Sequence, residues 1–178
     1  MSYAGLADAV KKSTAAQSSV FSEFATDKAV LSKFRDLGRK AIFYHGLADD
    51  AIPPAGSINY HHRVLARMGG DSEVQKFMRM YLVPGAAHSS QGRPFAANAD
   101  GDSVPLPKLP GNANQTPSRE QDQFFTALVD WVERRTAPGD ITLTSPNGKI
   151  SYPVCVYPQH ITWDAQGPAT AAASFSCR

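Results

Sequence analysis

Two short apolar runs, each closed by a glycine-marked loop, limit what this chain can fold into more than anything else in it. Lys40-Ala41-Ile42-Phe43-Tyr44-His45 reads as a buried strand that stops at Gly46. Val74 to Val83 reads as a second strand, apolar at Phe77, Met78, Met80, Leu82 and Val83 and broken by Pro84-Gly85. Between them Ile58, His61, Val64, Leu65 and Met68 recur at helical spacing, with Ser57 as the cap and Gly69-Gly70 as the stop. Strand, helix and strand in that order form a parallel βαβ unit. A parallel sheet is covered on both faces and two strands alone make a poor one. The remaining strands are therefore expected N-terminal to this chain.

The other elements surround that unit. Residues 5–18 are rich in Ala, Ser and Lys and suit a helix, with nothing to fix its partner. Asp27 caps an expected helix over 27–37, with Val30, Leu31, Phe34 and Leu37 on one face and Gly38 as its end. Residues 93–117, rich in Pro, Asn, Gly and Asp, read as one long loop. Ser118-Arg119-Glu120-Gln121 makes a capping box for a helix over 119–135 that carries Phe124, Phe125, Leu128, Val129 and Val132. The tail, 140–178, reads as short strands and turns, with Pro146-Asn147-Gly148 as a hairpin turn.

Composition excludes some classes of partner. A chain of 178 residues with 42% hydrophobic and 19% charged content suits one globular domain. A net charge of +2, with scattered Lys and Arg, leaves no footprint for nucleic acid or an anionic membrane. No apolar stretch approaches the roughly 20 residues that span a bilayer. Met1-Ser2-Tyr3-Ala4 opens without the apolar h-region of a signal peptide, which carries no weight if further strands lie upstream. Spacing alone leaves Cys155 and Cys177 open between two structural thiols and a disulfide that closes the tail.

The chemistry sits in the loops. In open α/β sheets, working residues lie beyond the carboxyl ends of strands. Asp49 follows the first strand and His88 follows the second, 39 residues later. Taken singly, an Asp after a strand-ending Gly is commonly a turn former, and a loop His is commonly a surface residue. Together they fall on matching ends of consecutive strands, which unrelated features would not be expected to do. A carboxylate can hold the His Nδ1–H while Nε2 takes a proton from a serine. In α/β-hydrolases the chain order is Ser, Asp, His, and this chain supplies the last two. It has no two glycines four apart, so the Gly-x-Ser-x-Gly elbow is missing and the oxyanion hole with it. Ser57 reads as a cap, and Ser89 and Ser90 follow the base itself. His61 and His62 are adjacent rather than at i and i+4, so they suit a metal poorly, and His160 is expected at the surface.

Five segments then resemble one family in its own order. They are Phe43 to Pro54, Tyr60-His61-His62-Arg63-Val64, Tyr81 to His88, Phe124 to Glu133, and the tail Pro153-Val154-Cys155-Val156-Tyr157-Pro158 with Phe175-Ser176-Cys177. Over residues 24–178 the chain resembles the tannase and feruloyl esterase family. The resemblance implies the C-terminal part of an α/β-hydrolase fold, with the N-terminal strands and lid domain absent. It implies Asp49 as triad acid, His88 as triad base, and a Cys155–Cys177 disulfide. The substrates implied are aromatic hydroxybenzoate or hydroxycinnamate esters. The partners implied are that small-molecule ester and the missing N-terminal part, which would bring the serine and a lid that often binds calcium. No metal or cofactor is expected in this chain itself, and the expected location is secreted or periplasmic. The sequence departs from the family at Ser89, where a Cys usually follows the catalytic His, and in the length of loop 93–117. Asn98-Ala99-Asp100-Gly101-Asp102 lacks the spacing of a calcium loop. The competing reading is a non-catalytic remnant or binding module built from the same fold.

Overall fold

The computed structural model describes residues 2–17, 26–88, 123–144 and 148–178. The expected long loop 93–117, the capping box at 118–121 and residues Ser89 and Ser90 lie outside them. The first helix, α1 (Tyr3–Gln17), leaves Tyr3, Leu6 and Val10 exposed. The helix expected over 27–37 is only α2 (Ser32–Asp36). Tertiary bonds hold the residues ahead of it in place. Asp27 takes Arg63 at 2.9 Å instead of capping a helix, and the Leu31 amide meets Met68 Sδ at 3.2 Å. Gly38 follows with φ +70, which suits a residue without Cβ.

The βαβ unit consists of β1 (Ala41–Gly46), α3 (Pro54–Met68) and β2 (Met78–Val83). β1 and β2 are parallel, with Ala41 opposite Met78 and Gly46 opposite Val83. α3 starts three residues earlier than Ser57, because Pro53 and Pro54 supply a fixed φ where no amide donor is needed. Ser57 is thus inside the helix and caps nothing. Gly69, in the left-handed region at φ +93, ends it. The second strand is shorter than the run Val74–Val83. Gly70 opens a helical turn, α4 (Asp71–Val74), whose Asp71 and Glu73 suit the positive N-terminal end, and pairing begins only at Met78.

Helices and tail cover the pair from different sides. Val64 and Met68 of α3 pack with Val74, Phe77 and Met78, and Phe34 of α2 joins them. A second core joins Tyr81 and Val83 of β2 to Phe124 of α5 (Gln123–Glu133), and to the antiparallel hairpin β3 (Ile141–Thr144) and β4 (Ser151–Val154). Phe124 stacks on Tyr44 at 5.1 Å between centroids and lies as close to Tyr81. The far edge of β2 takes the tail through a Tyr81–Val156 bridge and the Tyr157 amide on the Met80 carbonyl at 2.8 Å. Flanked on both edges, β2 is largely buried, whereas all six residues of β1 are half-buried. Among the described residues no strand pairs with the other edge of β1.

A final antiparallel pair, β5 (Ile161–Trp163) and β6 (Phe175–Cys177), lies in the tail, and a disulfide joins Cys155, just after β4, to Cys177. In the β3–β4 connection Gly148 has φ +71, which only a turn residue of that kind takes easily, while Pro146 and Asn147 lie outside the described residues.

Candidate active site

Parallel pairing of β1 and β2 brings their carboxyl ends together, and backbone bonds then stitch the two following loops to each other. The Leu47 amide donates to the Val83 carbonyl and the Ala48 amide to the Ala86 carbonyl, each at 2.9 Å. Gly46 permits this approach, since a Cβ there would run into the Ala86 carbonyl. Asp49 and His88 are carried on those stitched segments.

The Asp49 carboxylate is well shielded and nearly fully used. Oδ1 accepts the amides of Ala51 at 3.0 Å and Ile52 at 2.8 Å, closing an Asx turn. Oδ2 lies 3.1 Å from His88 Nδ1. The Asp49 side chain is 8% exposed and that of His88 51%. The Ile52 amide does most to hold the Asp49 carboxyl below the ordinary aspartate range, and the bond from His88 adds to it, against the opposing effect of burial. A carboxylate only accepts, so His88 Nδ1 carries a proton, and in the neutral ring Nε2 keeps its lone pair, on a side chain with half its surface open. The pair can orient a general base and favour the imidazolium once it forms. Asp50, next in sequence, is exposed.

His45 meets the acid and Ser57 meets His45, and sequence reasoning gave neither a role there. His45, the last side chain of β1 before Gly46, places Nε2 at 2.9 Å from the Ile52 carbonyl and 3.4 Å from Asp49 Oδ2. Its Nδ1 lies 2.7 Å from Ser57 Oγ. The signal that could have found this link is Pro54. A proline at the first helical position puts Ser57 a turn inside the helix, free to face the strand. Ser57 is half-buried within α3 rather than on a strand-to-helix elbow, so it stands in no nucleophile's place.

The remaining histidines stand apart. His61 is buried at 1% exposure, and its Nδ1 has no hydrogen-bond partner among the described residues. Burial pushes its pKa down, and neighbouring His62 adds to that. His62 Nε2 meets the Tyr157 hydroxyl at 2.9 Å, so both rings serve the α3–tail contact. His160 is exposed. Among the described residues, the group close enough to hold a metal is Asp140 with Cys155 and Cys177, whose sulfurs are bonded to each other. An apolar cavity of about 280 Å³ lies between the tail and the same two loops, bordered by Leu47, Leu82, Pro84, Tyr157 and Ile161.

Known proteins of one kind share this sequence and shape. The family model described as tannase and feruloyl esterase matches residues 2–178. A mono(2-hydroxyethyl) terephthalate hydrolase of Piscinibacter sakaiensis is 32% identical over 155 residues, a stretch that covers 83% of this chain and 21% of that protein. A probable feruloyl esterase of Arthroderma benhamiae is 31% identical over 83% of this chain and 24% of its own length. The crystal structure of feruloyl esterase B from Aspergillus oryzae superposes with a TM-score of 0.69 at 25% identity, over 88% of this chain and 30% of that one. The chain thus spans about a quarter of the length of the proteins it matches.

Proposed function

Because this chain belongs to the tannase and feruloyl esterase family, we propose that it supplies the acid and base of a serine carboxylic ester hydrolase acting on aromatic esters. Asp49 is the acid and His88 the base, and the substrates are hydroxycinnamate esters, as the feruloyl esterase relatives' names suggest, or the hydroxybenzoate esters that the family resemblance implies. The observation that carries this reading is the 3.1 Å contact between His88 Nδ1 and Asp49 Oδ2, in loops joined by backbone bonds at the carboxyl ends of two parallel strands.

In this reading His88 Nε2 takes the proton of a serine hydroxyl as that oxygen attacks the ester carbonyl. Asp49 stabilises the imidazolium, which then protonates the leaving alcohol, and water repeats the cycle on the acyl-enzyme. The serine, its elbow and the oxyanion hole come from protein outside these 178 residues, which contain no Gly-x-Ser-x-Gly. A lid domain, with calcium where it holds one, belongs to that same part. The half-buried β1, with no strand on its other edge among the described residues, is the place for the next strand. The Cys155–Cys177 disulfide supports a secreted or periplasmic protein, because such bonds persist in oxidising compartments. The second reading, a binding module, is favoured by the two closed cores on either side of the strand pair.

The two readings separate in one assay. The pure chain should not hydrolyse p-nitrophenyl esters above buffer. Adding a serine-bearing N-terminal part from a relative should restore turnover, and His88→Ala should abolish it. Turnover by the chain alone that is lost in His88→Ala would overturn the division of labour. A complemented mixture that binds but never turns over would favour the module.

A further inference from the structure

His45 is fixed at both ring nitrogens. The Ile52 carbonyl can only accept, so Nε2, 2.9 Å away, carries the proton. In the neutral ring Nδ1 then keeps a lone pair, to which the Ser57 hydroxyl, 2.7 Å away, can donate. The bonds to Ile52 run in both directions. Its amide donates to Asp49 Oδ1 at 2.8 Å, and its carbonyl accepts from His45. The same His45 N–H faces Asp49 Oδ2 at 3.4 Å, the oxygen that holds His88. The His45 side chain is only 10% exposed, whereas Leu47, Asp50, Ala51, Ile52 and Pro53 are exposed. Polar bonds, rather than packing of its own side chains, therefore keep this loop in shape.

We propose that His45 is a positioning residue for the acid: held as its Nε2–H tautomer between the Ile52 carbonyl and the Ser57 hydroxyl, it keeps the turn at 49–52 closed around the Asp49 carboxylate and presents an N–H dipole to the oxygen that orients His88. This rests on the reading of Asp49 and His88 as an acid–base pair. Among the described residues, the ionisable side chains that face the carboxylate are His45 from β1 and His88 from the loop after β2, and α3 contributes the neutral Ser57 behind His45. The lowered pKa of Asp49 is consistent with the assignment, since the amide that lowers it most is that of Ile52, the residue whose carbonyl His45 holds. A histidine rather than an aliphatic residue is required here, because the site needs one acceptor and one donor on opposite sides of a flat, rigid ring.

The test uses the full chain and needs no ester. Nitrogen-15 spectra of the imidazoles at neutral pH should show His45 with a protonated Nε2 and a bare Nδ1. Ser57→Ala, which removes the donor to Nδ1, should weaken that preference and admit a share of the Nδ1–H tautomer. In His45→Phe the Asp49 carboxyl, followed by carbon-13, should titrate higher, because a loosened turn withdraws the Ile52 amide from the carboxylate. His45→Gln, whose amide still donates toward Ile52, should recover part of that shift. A His45 protonated at Nδ1, or an Asp49 titration unmoved in His45→Phe, would overturn the proposal. If His45→Phe fails to fold, the Ser57→Ala tautomer result decides alone, and a single unchanged tautomer there overturns it. A locked His45 in a complemented enzyme without turnover would sink only the esterase reading. A freely exchanging His45 in an active one would sink only the positioning role.

Discussion

Substituting Gly46 by Ala should be destabilising although its backbone conformation suits alanine. Gly46 does not lie in the left-handed region. A lower entropy of the unfolded chain should therefore favour alanine by about 0.4–1 kcal/mol. Against that stands a methyl group driven into the Ala86 carbonyl, with the Ala86 Cβ also only 2.9 Å away. The obstacle is backbone, and the Ala48 amide already holds that carbonyl at 2.9 Å, so the strand end and the loop to His88 must separate. Overpacking of this kind costs about 1–3 kcal/mol, at the upper end here because backbone must move, so the net loss should approach about 2 kcal/mol. Gly56 provides the contrast. It lies in the first turn of α3 with nothing within 4 Å of an added Cβ. Gly56→Ala should stabilise by up to about 1 kcal/mol. Urea unfolding followed by fluorescence of Trp131 and Trp163 reads both. Gly46→Ala should also disturb the ring signals of His88, and Gly56→Ala should not. A Gly46→Ala midpoint at or above that of the wild type would refute the view that close approach at Gly46 sets the spacing of the acid and base loops.

Three further outcomes are expected. Reducing Cys155–Cys177, which spans 22 residues, should lower the stability of the tail by about 3 kcal/mol in the chain-entropy model, read as a lower urea midpoint under reductant. The Asp49 pKa is depressed by folding, so its contribution is fully present above the ordinary aspartate range and is lost as pH falls through the lowered folded value. Acid titration of the unfolding midpoint should therefore fall more steeply below about pH 4 in the wild type than in Asp49→Asn. The isolated chain, with Val30, Leu47, Ile52 and Val132 exposed and β1 bare on one edge among the described residues, should bind apolar-surface dyes and self-associate on size exclusion. A monodisperse monomer with a sharp melt would count for a self-sufficient module.

The backbone frame was legible because hydrophobic period alone separates strand, helix and strand, and because glycine marks each stop. Placing Asp49 and His88 on the same edge required only that the two strands be parallel. What was not legible depends on contacts between distant segments. The residues before α2 stay outside the helix because Met68 and Arg63, both on α3, occupy Leu31 and Asp27. Val74 falls in a helical turn because Gly70, Asp71 and Glu73 start one, although its own side chain suits a strand. Ser57 has the composition of a cap, but the proline pair just ahead starts the helix sooner and turns the hydroxyl to His45. The His45 ring matches any buried strand residue by pattern, and its two bonds appear only once loop and helix are in place.

The central claim, that Asp49 and His88 are the acid and base of a serine esterase, is tested most directly by kcat in the chain complemented with a serine-bearing N-terminal part. Asp49→Asn and Asp50→Asn should be compared there on one aromatic ester, with His88→Ala as reference. Asp49→Asn and His88→Ala should each lower kcat by on the order of 10³-fold or more, with the fold intact by circular dichroism, because the base loses its orientation or is missing. Asp50→Asn should change it little, since Asp50 is exposed and it is Asp49 that meets His88. A large loss in Asp50→Asn with Asp49→Asn near wild type would contradict the account.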